Sequence, residues 1–329
     1  MNVLLTGATG GLGYRTIEKL IANQDIERII ATGRTIKPTH FIENSKVKYE
    51  LGSLEDIEFT QILVGQVDCI IHAAALSSPW GRYEEFENAN VQSMKNLLTA
   101  AKKTGIKRFL YISTPSVYVD FKNRFNVSES DELPRKFVNA YAKTKYEAEL
   151  LLKKSNLPYV ILRPRALVGR GDSVIMPRLI RAFNEGKLKI IGDGNNIVDL
   201  TSLSNVADAI ELSLFIGSSG INQTYNITNG EPIKMWECIE TVLSQLGYTL
   251  NKQKIPFAVA NFAAKLMELK SRITNFNEPA LTVYSVNTLA KSFTLDISKA
   301  KDLLGYSPKM STDEALVEFI NWYKENEKS

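Results

Sequence analysis

Tyr141 and Lys145 stand four residues apart in a stretch, 139–155, rich in Ala, Glu, Leu and Lys. That composition reads as a helix, and the spacing places both side chains on one face of it. A phenol is a weak proton donor near neutrality because its free pKa is about 10. A neighbouring ammonium favours the phenolate and lowers that value, which suits a group that must pass a proton. Tyr146 has Leu150 at its own fourth position and so lacks a cationic neighbour there. The other chemistry-bearing stretch is Leu4-Leu5-Thr6-Gly7-Ala8-Thr9-Gly10-Gly11-Leu12-Gly13. Glycines at 7, 10 and 13 let main-chain N–H groups and a helix N-terminus approach a pyrophosphate. The spacing is G-x-x-G-x-x-G, which differs from the G-x-G-x-x-G dinucleotide fingerprint. Taken alone, the turn is only a turn and the pair only a helix surface; together they predict a cofactor cradle beside a proton-transfer group.

The elements that must position these groups alternate along the first half. Apolar runs predict strands near 2–6, 27–32, 46–50, 67–72, 107–113 and 158–162, and periodic stretches predict helices near 11–22, 55–64, 84–104 and 138–154. Such β-α repetition calls for a parallel sheet covered on both faces, with ligand at the carboxyl ends of its strands. Past Pro164 the regularity weakens, with helices expected near 174–186 and 203–216 and strands near 188–191 and 224–227.

These motifs resemble the extended short-chain dehydrogenase/reductases of the NAD-dependent epimerase/dehydratase family. The T-G-x-x-G-x-x-G turn and the Y-x-x-x-K pair are both present. Val67–Ala75 is similar to the family's fourth strand and cofactor-side turn, Asn88-Ala89-Asn90-Val91 with Asn96-Leu97-Leu98 to its N-V…N-L-L helix, and Leu162-Arg163-Pro164 to the strand reaching the nicotinamide. The resemblance implies an α/β, Rossmann-type doubly wound parallel sheet with a smaller mixed α/β C-terminal lobe. The cofactor domain would take 1–165 with a return segment about 195–228, and the substrate lobe, within 166–329, about 166–194 and 229–329. Cofactor contacts implied are Gly7, Thr9, Gly10, Gly11, Leu12, Gly13, Ala73, Ala74, Ala75, Asn90, Tyr141, Lys145 and Pro164. Leu54 belongs with them, and Ser53 beside it replaces the Asp that the family often sets by the adenine. Asn90 has two readings, a member of a water-linked proton relay or a helix-kink residue. Aligning Ser113-Thr114-Pro115-Ser116-Val117-Tyr118 with the family's S-S-x-x-V-Y run puts Thr114 at the catalytic hydroxyl, with Ser113 and Ser116 as rivals. Tyr141 would move the proton, Thr114 would polarise the substrate oxygen, and Lys145 would tune Tyr141 and hold the nicotinamide ribose.

An NAD site usually offers a carboxylate at the end of the second strand, for the ribose hydroxyls. Here Thr32-Gly33-Arg34-Thr35 offers Arg34, whose planar fork suits a 2′-phosphate, with Lys37 as a helper. This predicts NADP, with NAD as the alternative and a solvated loop charge as the bland reading of Arg34. Three departures bear on the reaction. Pro115-Ser116 stands where nucleotide-sugar dehydratases carry an acidic pair. Val198 stands where sugar-nucleotide epimerases carry a diphosphate-gripping Arg, which leaves Arg163, Arg165, Arg170 or Arg178 to compensate. The S-T-P-S-V run, Asp199-Leu200-Thr201 ahead of Asn205-Val206-Ala207-Asp208, and Thr294–Ala300 are similar to the 3β-hydroxysteroid dehydrogenase-like branch, which includes 2-alkyl-3-oxoalkanoate reductases. The expected function is therefore alcohol/ketone interconversion on an apolar 3-hydroxy/3-keto substrate. A sugar-nucleotide epimerase or reductase and a non-catalytic cofactor-binding regulator are the alternatives.

Composition agrees with a small-molecule enzyme. Of 329 residues, 44% are hydrophobic and 23% charged, and the net charge of +4 is too mild to predict a nucleic-acid partner. Two cysteines and two histidines predict reduced thiols and no metal site. A first strand at residue 2 or 3 leaves no signal peptide, so a cytoplasmic location is expected. Ile255–Leu269 is too short and too interrupted to span a bilayer; it reads as core, interface, the roof of a pocket or a membrane-surface helix. A homodimer through the helices at 84–104 and 138–154 is what the family implies.

Overall fold

Seven parallel strands frame the molecule, whose computed structural model describes residues 1–326. The first half runs β1 (Asn2–Thr6), α1 (Gly11–Ile21), β2 (Arg28–Thr32), β3 (Val47–Tyr49), α2 (Ile57–Val64), β4 (Cys69–His72), α3 (Tyr83–Phe86), a π-helical stretch at Glu87–Gln92, α4 (Ser93–Thr104), β5 (Arg108–Ile112), β6 (Arg124–Val127), α5 (Ala140–Lys153) and β7 (Tyr159–Pro164). The second half continues with β8 (Leu167–Val168), α6 (Ile175–Asn184), β9 (Ile190–Ile191), β10 (Ile197–Val198), β11 (Thr201–Ser202), α7 (Leu203–Phe215), β12 (Gln223–Ile227), β13 (Ile233–Lys234) and α8 (Met235–Gln245). It closes with β14 (Lys254–Ile255), α9 (Phe257–Ile273), α10 (Val283–Ala290), β15 (Phe293–Leu295), α11 (Ser298–Leu304) and α12 (Thr312–Asn326).

The large sheet has the order β12-β7-β5-β4-β1-β2-β3, every pair parallel. Its strands are apolar on both faces because helices cover both. Val3, Leu5 and Ile29 pack with Ile17, Leu20, Val206 and Ile210 from α1 and α7. Leu4, Ile30 and Ile70 point the other way, against Met94 and Leu97 of α4 and Ala148 of α5. Strand order reverses between β1 and β4, and that switch point opens a crevice at the carboxyl edge, where such sheets bind ligands.

A smaller sheet, β13-β10-β15-β6, borrows β6 from the first half of the chain. Within the expected return segment, Ile197–Val198 pair in this small sheet and β11 pairs with β8 in a two-stranded sheet of their own, while β12 joins the large sheet beside β7. Within the expected substrate lobe, α11 packs on the large sheet's side, where Ile297, Ala300, Leu304 and Tyr306 share a cluster with Val206 and Ile227. The expected helix at 84–104 is divided by the π-helical stretch, where Asn90 is buried and bonded to a neighbouring loop.

Glycines decide how closely α1 approaches the sheet. A Cβ on Gly13 would lie 2.3 Å from the Gly7 carbonyl oxygen and 2.4 Å from Ala8 Cα, whereas one on Gly10 would meet nothing nearer than 3.6 Å. Gly13→Ala is therefore expected to destabilise the cofactor-free protein by about 1–3 kcal/mol, read from its urea midpoint. Gly10→Ala should leave that midpoint unchanged.

Candidate active site

The two edges of the crevice touch. Gly7 has φ +69° and its Cβ would sit 2.7 Å from Ala74 N, so the turn after β1 and the turn after β4 come together only because residue 7 has no side chain. Gly11 is closed off by the Gly171 carbonyl, 2.3 Å from where its Cβ would be. Gly10 is exposed and caps α1 with no side-chain hydrogen bond, and the first turn holds no acid. The N-terminus of α1 thus presents its dipole to an anion, and a dinucleotide's pyrophosphate fits it. Leu12 is half-buried against the core. Thr9 reaches to Gly33, and beyond it Arg34 and Lys37 are exposed, Arg34 having no ion-pair partner among the described residues. Ser53 is exposed and accepts from Glu55 N, while Leu54 is buried with its carbonyl accepting from Asn96 Nδ2 at 2.9 Å. Ala73 and Ala74 are half-buried and Ala75 exposed. Asn90 pins the loop that follows: its Oδ1 accepts from Leu76 N (2.8 Å), and its Nδ2 donates to Leu76 O (3.2 Å) and Thr144 Oγ1 (3.1 Å). Both ends of the amide are engaged, so the geometry favours the kink reading over the relay. Pro164 is buried at the end of β7, paired beside Ile227.

The residues expected to transfer the proton meet beside this crevice. Asn139 caps α5 by accepting from Ala142 N (2.9 Å), which fixes the start of the helix that carries Tyr141 and Lys145. Tyr141 is hydrogen-bonded to Thr114 and Ser77. Thr114 Oγ1 donates to Ser116 Oγ (3.1 Å) and accepts from Ser116 N (3.2 Å), and Ser116 Oγ meets Tyr284 OH of α10 at 3.1 Å. Of the rival hydroxyls, Ser113 is committed elsewhere, donating to Glu149 Oε1 at 2.5 Å. Ser116 belongs to the hydroxyl chain, one link beyond Thr114. Ser77 and Tyr284 were not legible in the sequence: neither lies in a motif, and only the fold brings them to Tyr141 and Ser116.

One electrostatic expectation is corrected. The Lys145 ammonium was expected to lower the Tyr141 pKa, yet burial raises the phenol above its ordinary value, opposed by the hydrogen bonds to Thr114 and Ser77. Lys145 is itself fully enclosed, donating from Nζ to Ile112 O at 2.6 Å with Tyr111's ring 4.1 Å away. Burial brings its amine down to about 7, against the pull of Glu149. Glu149 is the next residue along this helix face, four past Lys145, so the sequence held that signal. It pairs with Arg163 through Nε–Oε1 (2.9 Å) and Nη2–Oε2 (2.5 Å), and with Arg163 and Ser113 around it the carboxyl stays below its ordinary value despite burial.

The arginines available to grip a diphosphate are mostly spent. Val198 is buried in β10 beside Phe293 and Ile233. Arg163 is bound to Glu149, Arg170 to Glu18 and Tyr14, and Arg178 to Glu278. Arg165 is the exception. Its Nε is buried without a hydrogen-bond partner, and with Lys122, Lys291 and Tyr284 it lines a small cavity whose wall contains no carboxylate.

The sequence matches the NAD dependent epimerase/dehydratase family over residues 3–228. The chain belongs to that family. It is 31% identical to 2-alkyl-3-oxoalkanoate reductase from Stenotrophomonas maltophilia (strain K279a), covering 96% of this chain and 97% of that protein. It is 35% identical to 3beta-hydroxysteroid-dehydrogenase/decarboxylase isoform 2 from Arabidopsis thaliana over 84% of this chain, which spans only 52% of that longer protein. Among solved structures, UDP-glucuronic acid 4-epimerase from Bacillus cereus in complex with NAD superposes with a TM-score of 0.75 at 25% identity, covering 99% of each chain. The protein is thus an enzyme of the extended short-chain dehydrogenase/reductase type, an NAD(P)-dependent oxidoreductase. Among the described residues no helix is long and apolar enough to cross a membrane, and no group of three His, Cys, Asp or Glu side chains could hold a metal ion.

The Lys145 amine has a thermodynamic consequence. Its folded value of about 7 lies below the ordinary 10.5, so between those values the unfolded chain holds a proton that the folded cofactor-free protein does not. Unfolding then takes up a proton, and this group's contribution to stability rises with pH across that window. The urea stability of the wild type relative to Lys145→Met should accordingly increase from pH 7 to pH 9.5; a flat difference would show a protonated Lys145.

Proposed function

We propose that the enzyme interconverts an apolar 3-keto acid and its 3-hydroxy counterpart using NADP. The observation that favours this over a nucleotide sugar is the state of the substrate-lobe cations: Val198 offers no grip, three arginines are already paired, and Arg165 with Lys122 and Lys291 forms a compact cationic cavity. Such a cavity suits the carboxylate of a keto acid. The name of the bacterial reductase gives a 3-oxoalkanoate and that of the plant protein a 3-hydroxysteroid, both 3-hydroxy/3-keto substrates. Likeness to the Bacillus cereus epimerase keeps the sugar-nucleotide reading as runner-up, and the Tyr141/Lys145 pair argues against a purely regulatory role. Arg34 and Lys37, exposed at the end of β2 with no carboxylate in that turn, would hold a 2′-phosphate. We further infer a cytoplasmic homodimer built on the faces of α4 and α5, where Val91, Lys95, Leu150 and Lys154 border an open groove.

When bound, the nicotinamide cofactor supplies or accepts the hydride. In the reductive direction Tyr141 gives its hydroxyl proton to the substrate oxygen, while the Thr114 hydroxyl turns from Ser116 to donate a hydrogen bond to the same oxygen. The Tyr141 hydroxyl is then refilled by protons passed from Tyr284 to Ser116 to Thr114 to Tyr141, and Tyr284, which lines the cavity, regains its proton from water. Lys145 would hold the nicotinamide ribose from its seat against Ile112 O.

Tyr141→Phe should lower kcat by about 10²–10⁴-fold and leave cofactor affinity unchanged; a fully active variant would remove Tyr141 from the mechanism. Arg34→Ala should weaken NADPH binding by roughly tenfold or more, as for a hydrogen bond to a charged group, with NADH binding unaffected. A wild type that prefers NADH would refute the NADP assignment.

A further inference from the structure

Helix α9 carries an apolar row that nothing else among the described residues covers. Val259, Phe262, Leu266, Leu269 and Ile273 follow at steps of three and four residues, so they line one side of the helix. Each is more than half exposed, from 52% at Leu266 to 76% at Ile273. The opposite side is already engaged, since Ala260 and Ala264 are buried with Ile191 and Val286. An exposed row of this kind on a folded protein marks an interaction surface.

The charges on α9 say what that surface meets. Lys265, Lys270 and Arg272 are exposed, whereas its one carboxylate, Glu268, is turned inward and accepts from Val283 N at 2.7 Å. The charged groups that α9 itself sets into solvent are therefore all cationic. Bulky apolar side chains flanked by lysine and arginine are the chemistry of a helix that lies in the interface of an anionic membrane. At 17 residues the helix is about 25 Å long, and it does not meet the length and apolarity needed to cross a bilayer.

Its surroundings connect this surface to catalysis. Just past the C-terminal end of α9, Phe276 stacks on Trp80 at 5.2 Å and its carbonyl accepts from Trp80 Nε1 at 3.0 Å, while Arg272 of the last turn lies over the Trp80 ring at 5.4 Å. Trp80 shares its loop with Ser77, the hydrogen-bond partner of Tyr141. Along its buried side α9 packs on α10, which brings Tyr284 to Ser116.

We propose that α9 docks the enzyme on an anionic lipid surface, its apolar row sunk into the headgroup–acyl boundary. Docking rests on the helix alone and stands whichever substrate the site takes. The test is co-sedimentation of the full chain with vesicles of phosphatidylcholine, alone or mixed with phosphatidylglycerol. The wild type should sediment with the mixed vesicles, bind phosphatidylcholine vesicles much more weakly, and be released by salt. Phe262→Ser with Leu266→Ser should weaken binding by at least about tenfold without lowering the thermal midpoint or NADPH affinity. Lys265→Glu with Lys270→Glu should remove the preference for anionic lipid. Ile62→Ser, at an exposed apolar position on α2 away from this row, should bind as the wild type does. Wild type left in the supernatant with both vesicles would overturn the proposal, as would equal binding to both. A wild type that ignores vesicles, but whose mass by light scattering falls on Phe262→Ser/Leu266→Ser, would assign the row to a second copy of the chain instead.

Discussion

The buried Glu149 carboxylate is the interaction on which the catalytic framework depends. It lies on α5, takes a two-point contact from Arg163 of β7, accepts from Ser113 at the end of β5, and sits one helical turn from Lys145. Burying an ionised carboxylate is costly, and it persists only where its lone pairs are filled by charged and polar donors. Removing either member of such a pair typically costs about 3–5 kcal/mol. The same contacts hold β5 and β7 in register with α5, which sets where Thr114 and Tyr141 meet. Glu149 also biases Lys145 toward its protonated form, against the burial that drives the amine the other way.

The smaller lobe is woven into this framework. β6 leaves the first half to pair with β15, α11 returns to pack beside α7, and Tyr118 links Arg163 to Asn226 of β12. Tyr284 then reaches from α10 to Ser116, so the hydroxyl chain ends on the smaller lobe. A movement of α10 relative to β5 would open that chain.

Much of this was legible in the sequence, and the reasons are physical. Repeating strands and helices with apolar runs gave the parallel sheet, because a strand covered on both faces shows no polar alternation. Gly7 and Gly13 were readable because close backbone approach leaves no other residue type. Other features depended on contacts far apart in the chain. The expected Lys145–Tyr141 tuning is outweighed by burial, because spacing places two groups on one face without saying that both are buried or that Lys145 Nζ donates to Ile112 O. Ser77 and Tyr284 were invisible because the site is completed by a loop and a helix about 200 residues apart. Which of Arg163, Arg165, Arg170 and Arg178 has a carboxylate partner depends on contacts far apart in the chain, such as Arg170 with Glu18 and Arg178 with Glu278.

The most direct measurement is the stoichiometry of cofactor and product. Purified enzyme would be given NADPH with a long-chain 3-keto acid or with UDP-sugars, following absorbance loss and products together. The account predicts one NADPH consumed for each 3-hydroxy acid formed and no change in the nucleotide sugars. Epimerised nucleotide sugar with no net loss of NADPH, and an inert keto acid, would contradict it.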